Sequence, residues 1–179
     1  MPALRKMLGD INGPSVKALM SLIETQSKET LARWAAKYAG EHYFPLLQTE
    51  TELFDRMEQA LSAVKRFLNK ESSLKELKPF LADARTAAKA LADSRTADPV
   101  ILAAARAVST ACAAAQTPSN ALGFLFYGAA ARVYHDAGLS APPEVCDRLA
   151  EDELHRALLS LQEAAVPDEP HPVSIRWNC

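Results

Sequence analysis

Glycine is scarce in this 179-residue chain, with 6 residues, aromatic side chains make up only 7%, and cysteines number three. Each shortage excludes something. Few aromatic and β-branched residues leave little material for strands, whereas the good helix formers Ala, Leu, Glu, Lys and Arg recur throughout. Cys112, Cys146 and Cys179 are far apart and form no C-x-x-C pair, so neither a disulfide framework nor a zinc site follows, and free thiols in a reducing compartment are expected. The net charge of −2 carries no basic excess that would advertise nucleic acid. Residues 120 to 131 are uncharged, but twelve residues are too few to cross ~30 Å of hydrocarbon. The opening MPALRKMLGDI has no long apolar run of the secretory type. A cytoplasmic protein without membrane association is expected.

What is present reads as an all-α fold, a single compact bundle of about seven helices. Capping residues and apolar spacings of three and four place them. The first follows Gly13-Pro14-Ser15 and buries Val16, Leu19, Met20 and Ile23. The second begins after Ser27, carries Leu31, Trp34, Ala35 and Tyr38 on one side, and should end or kink near Tyr43 because Pro45 removes an amide donor. A third runs from about Thr49 to Asn69, with Leu53, Met57, Leu61, Val64 and Leu68 on its core face. Ser72-Ser73 starts the fourth, but Pro79 falls late for a first turn, so the main helix is expected from Pro79 to Ala92. Asp98 caps the fifth, with Pro99 at its first position. Ser119 or Asn120 caps the sixth, which Gly138 closes. Pro142-Pro143 leads into the seventh. Residues 1–166 then form the helical domain, and the proline-rich residues 167–179 form an extended tail expected to pack on it through Val173, Ile175 and Trp177.

The fifth and sixth helices have almost no charge and should form the centre. On a helical wheel Leu122, Phe126, Ala129 and Val133 make one apolar line, and Phe124, Tyr127, Ala131 and Tyr134 another. Truncating Phe126 should therefore be costly. Arg106 and Arg132 are lone charges on these helices; with Tyr127 they could define a polar pocket. Tyr134-His135-Asp136 reads as a helix end in which His135 meets terminal carbonyls.

Catalytic and metal-binding signatures are missing. Di-iron bundles need two Glu-x-x-His pairs, and only Asp152-Glu153-Leu154-His155 approaches one. There is no Gly-rich phosphate loop, and no cofactor, metal or catalytic residue is assigned. Charge is distributed unevenly instead. Residues 140 to 179 contain eight acids and three arginines, a balance of −5, which leaves +3 for the first 139 residues. Along the seventh helix Cys146, Leu149, Ala150, Ala157 and Leu161 make the core stripe. Glu144, Asp147, Arg148, Glu151, His155 and Gln162 face away, with Asp152 at that face's edge. Glu144, Asp147, Glu151 and Asp152 are the candidate partner-binding residues, as an acidic surface suited to a basic partner. The other reading of that face is a solvated acidic helix surface. Leu158 and Leu159 flank the polar stripe; if the tail does not cover them, they and Trp177 offer a patch for a partner or a second copy of the chain.

The segments LARWAAKYAGEHYFPLL and AAARAVSTACAAAQTPSNALGFLFYGAAA, followed by the acidic helix, together resemble the helical, alanine-rich immunity proteins associated with bacterial polymorphic toxins. The resemblance covers roughly residues 28 to 160. It implies a cytoplasmic, non-enzymatic protein that binds and neutralises a cognate protein toxin, such as a nuclease with a basic surface. Two other classes remain. A small-molecule or metal-binding bundle would use polar groups around Arg106, Tyr127 and Arg132. A nucleic-acid-binding regulator would use the basic segment from Lys65 to Arg106, where acids interleave and no helix-turn-helix signal is present.

Overall fold

The structure, a computed structural model, describes residues 3–178. The expected thiol at Cys179 lies outside the described residues. Among these residues the chain forms seven α-helices and no strand: α1 Pro14–Ile23, α2 Lys28–His42, α3 Thr51–Leu68, α4 Leu74–Ala92, α5 Pro99–Ala113, α6 Asn120–Ala137 and α7 Pro143–Ala164. A short 3-10 helix, Phe44–Leu47, follows α2 where Pro45 cannot supply an amide.

Side-chain caps set several of the starts. The Ser27 hydroxyl accepts from the Thr30 amide at 3.2 Å, and Asp98 Oδ1 accepts from the Val100 amide at 2.8 Å. The Ser73 hydroxyl accepts from the Glu76 amide at 3.2 Å, and this cap begins α4 well before Pro79. The expected restart at Pro79 is therefore corrected: one helix runs from Leu74 to Ala92 with Pro79 inside it. Proline leaves the carbonyl of Lys75 without its usual helical donor. Both residues are exposed, so water can take the donor's place and the cost of the proline falls. At the far end of α6, Gly138 adopts φ 84°, a value open to glycine, and its amide bonds to the Tyr134 carbonyl.

Helices α5 and α6 share the most extensive interface of the bundle. Ala104, Ala105, Ala107, Val108 and Ala111 of α5 are buried against Ala121, Leu125, Ala129 and Ala130 of α6 within one continuous core. Small side chains let the two backbones approach, so packing density is reached with little volume per residue. α2, α3 and α4 pack around α5; α1 and α7 pack over α6 and each other.

The bulky residues of α6 divide differently from the expected apolar line. Phe124 is fully buried, with its ring centroid 5.5 Å from Trp34, 6.3 Å from Tyr38 and 6.2 Å from Tyr43, all in edge-on arrangements. Phe126 is only half-buried. It faces the segment before α1, where the Leu8 amide donates to the Phe126 carbonyl at 3.1 Å. That segment crosses so closely that a β-carbon on Gly9 would lie 2.8 Å from the Phe126 ring and 2.9 Å from Leu154. The centre of the aromatic core is Phe124, and Phe126 is the platform for an N-terminal strap.

Past α7 the chain turns at Asp168 and His171, both with positive φ (50° and 59°), and returns toward the α1–α2 junction. Gln26, itself buried, holds it from both sides: its Oε1 accepts from the Val166 amide, its Nε2 donates to the Val166 carbonyl, and its backbone carbonyl accepts from Val173 at 2.9 Å. Val173, Ile175 and Trp177 pack against the core, although the Trp177 indole N–H is buried without an acceptor. Leu158 is buried and Leu159 is 47% exposed.

Candidate functional site

The outer surface of α7 carries the four acidic candidates, and the fold gives them two different situations. Glu144 and Asp152 are exposed and form no ion pair among the described residues. Asp147 and Glu151 are tied to the N-terminal part of the chain. Asp147 accepts from Arg5 at 2.7 Å, a hydrogen bond that raises the guanidinium above its ordinary pKa. Glu151 Oε1 accepts from both the amide, at 3.2 Å, and the hydroxyl of Ser15. The cap of α1 is Gly13, which has no side chain to offer, so a carboxylate from another helix satisfies the first turn and meets its positive dipole end. Glu151 is thus half-buried rather than facing away from the packing.

The strap and α7 together enclose a concavity of about 470 Å³ lined by Arg5, Gly9, Asp10, Gly13, Asp147 and Glu151. Three carboxylates share it with one arginine. Asp10 escaped the sequence reading because nothing in its neighbours shows that residues 4–13 lie across α7; the glycines at 9 and 13 were the available signal of a close backbone approach.

The residues considered for a pocket between α5 and α6 have partners of their own. The Arg106 guanidinium stands 5.8 Å from the centroid of the Tyr127 ring, a cation–π pairing. Arg132 bonds one turn ahead to Asp136 at 3.2 Å, and His135 Nδ1 lies 2.9 Å from the same carboxylate. Arg106 lines a shallow space of about 210 Å³ with Arg5, Lys6 and Tyr134, in which neither Tyr127 nor Arg132 takes part. The Tyr134 hydroxyl donates to the Arg5 carbonyl at 2.8 Å and helps hold the strap.

Glu153 was noticed in sequence only as part of an incomplete metal motif. It is 3% exposed and occupies the seam between α7, α2 and the 3-10 helix. Its Oε1 accepts from the Tyr38 hydroxyl at 2.6 Å and the Tyr43 hydroxyl at 3.0 Å, while Oε2 meets Arg156 at 3.0 Å. Burial, reinforced by the Glu153 charge, pushes both tyrosine pKa values far up, so the phenols remain donors. A buried carboxylate with three donors is satisfied, and it fixes the register of three elements at once. Trp34 adds a second tie between α2 and α7, its indole N–H donating to the Ser160 hydroxyl at 3.1 Å.

No cluster of three or more His, Cys, Asp or Glu side chains suited to a metal ion occurs among the described residues, and no helix of the described residues is long and apolar enough to cross a membrane. Cys112 is fully buried, which pushes its thiol up to about 12 and leaves it unreactive. The arrangement offers a rigid helical face, braced from behind by Glu153 and from the side by the strap, on which fixed charges are displayed.

Neither a curated protein nor a solved structure matches the chain. The family model described as "Imm-5 like putative immunity protein" matches residues 21–167, which span every helix from α2 to α7 and the end of α1. The chain belongs to the Imm-5 like immunity protein family.

Proposed function

We propose that this protein binds and neutralises a cognate protein toxin, without catalysis of its own, through the acidic surface made by the outer face of α7 and the strap beside it. Family membership over residues 21–167 carries the immunity role. The geometry supports the face: Glu144, Asp147, Glu151 and Asp152 project from one rigid helix, and Asp10 adds a fifth carboxylate across the concavity. A toxin whose active surface is basic, as that of a nuclease is, would be steered to such a face and its charge masked there. Two buried, unpaired thiols, Cys112 and Cys146, suit a reducing bacterial cytoplasm.

The test uses the partner captured from the native host and stopped-flow association at low salt. Glu144 and Asp152 are the residues to reverse, since neither forms an ion pair among the described residues. Changing both to lysine is expected to slow association by roughly tenfold or more, with the difference shrinking as salt rises. The same on-rate for wild type and the double variant would remove α7 from the interface.

A further inference from the structure

Apart from this face, the bundle has a second concavity of about 580 Å³ between α4, the end of α5 and the turn into α6. No carboxylate lines it, a property it shares with the smaller space beside Arg106, but here hydroxyl and amide side chains accompany the cations. Lys78 and Arg85 stand two turns apart on α4, hence on the same side of that helix, and both enter the lining. Neither forms an ion pair among the described residues, so both are available to an incoming anion. Also in the lining are three hydroxyls, Ser109, Thr110 and Thr117, and two amides, Gln116 and Asn120.

Ser109 is the informative member. It is 8% exposed, lines the concavity from the floor of α5, and its hydroxyl bonds to no other side chain among the described residues. Here it places a rotatable O–H donor at the bottom of a site with two free cations at its rim. The first residues of α6 add the positive end of an 18-residue helix to the same space.

From this juxtaposition we propose that the α4–α5–α6 concavity is a binding site for a phosphate-bearing small molecule. Two cations on one side of α4 leave the hollow with a positive charge that an anion can share. Lysine and arginine supply charge, and the hydroxyls and the Asn120 amide supply the directional donors that a phosphate's several oxygens can accept from. The space falls within the usual range of ~300 to 1,000 Å³ for small-ligand sites, larger than one inorganic phosphate fills. α4 and α7 share no packed interface, so the site is separate from the acidic face, and its occupancy does not depend on the toxin reading.

The experiment is an NMR titration of the full isotope-labelled chain with inorganic pyrophosphate, and in a second arm with a nucleoside diphosphate. Saturable shifts of the Ser109, Thr110, Thr117 and Asn120 amides are expected. Lys78→Gln and Arg85→Gln should each weaken binding at least about tenfold, as expected for losing a charge-assisted contact. Lys75→Gln, on the same helix but outside the lining, should leave affinity unchanged. Tighter binding of the nucleoside diphosphate would assign a phosphorylated metabolite, and equal binding would assign the phosphate group alone. No saturation up to about 10 mM, or equal weakening by Lys75→Gln, would overturn the site and reduce the effect to diffuse attraction. Single-stranded RNA binding far more tightly than either probe would also overturn it.

Discussion

The Tyr43 ring lies against the backbone of Gly128 so closely that a β-carbon at that position would overlap the ring. It is the hydroxyl end of the ring that meets Gly128, and that same hydroxyl donates to Glu153. One contact between the 3-10 helix and α6 therefore sets where a buried carboxylate of α7 finds its donor. Gly128 is in a helix interior, where alanine is ordinarily better by ~1 kcal/mol. Here the sign is expected to reverse. Gly128→Ala should destabilise the fold by about 1 to 3 kcal/mol, the usual cost of overpacking, measured by denaturant melts. A gain in stability would mean that Tyr43 can move aside freely.

Phe124 and Phe126 offer a paired test of where the core is. Phe124 is enclosed by Trp34, Tyr38 and Tyr43, whereas Phe126 is half-buried at the edge of the core with the strap crossing its ring. Phe124→Ala is expected to cost about 3 to 5 kcal/mol, the range for a buried aromatic, and Phe126→Ala clearly less. Equal losses in chemical denaturation would place the two rings in equivalent surroundings.

These two rings also show how much of the fold was legible in the sequence. Helix order, the caps at Ser27 and Asp98 and the central place of α5 and α6 follow from local chemistry and periodicity, which act within a few residues. α6 is apolar on several sides, so its periodicity could not say which aromatic meets the aromatic cluster and which meets a strap contributed from more than a hundred residues away. The same limit applied to α7. Its wheel separated polar from apolar residues, but Glu151 and Glu153 leave the solvated class only because Ser15, Tyr38 and Tyr43 arrive from elsewhere. Pro79 failed for a different reason: the rule against interior proline weakens where the freed carbonyl faces water.

Glu153 should respond to substitution in a way that separates charge from shape. Glu153→Ala leaves two buried phenols and Arg156 without their acceptor, and is expected to cost about 3 to 5 kcal/mol. Glu153→Gln keeps a carbonyl acceptor for the tyrosines and loses only the ion pair with the exposed Arg156, so the loss should be distinctly smaller. Thermal melts of the two variants side by side decide it, and similar destabilisation by both would show that the negative charge, not the acceptor, matters.

The tail supplies a pH-dependent contact. Burial alone would raise the Glu169 pKa, but hydrogen bonds from the Ser27 hydroxyl, the Thr30 hydroxyl and the Ser27 amide outweigh it and hold the carboxyl below its ordinary value. A carboxylate with a lowered folded-state pKa contributes its stabilisation in full above the unfolded value, and loses it as pH falls through the folded one. The tail should therefore loosen on acidification below about pH 4, the ordinary glutamate range, and not on going from neutral to alkaline. The Trp177 indole N–H resonance reports this directly, since the returning tail carries that ring onto the core with its N–H buried, while Glu169 anchors the turn before it. Its shift should titrate in the acid range in the wild type. In Glu169→Gln the acid step should be lost, because no charge remains to be neutralised and the Ser27 and Thr30 donors face a neutral carbonyl at every pH. A titration of the Trp177 signal that persists unchanged in that variant would assign the acid sensitivity to another carboxylate.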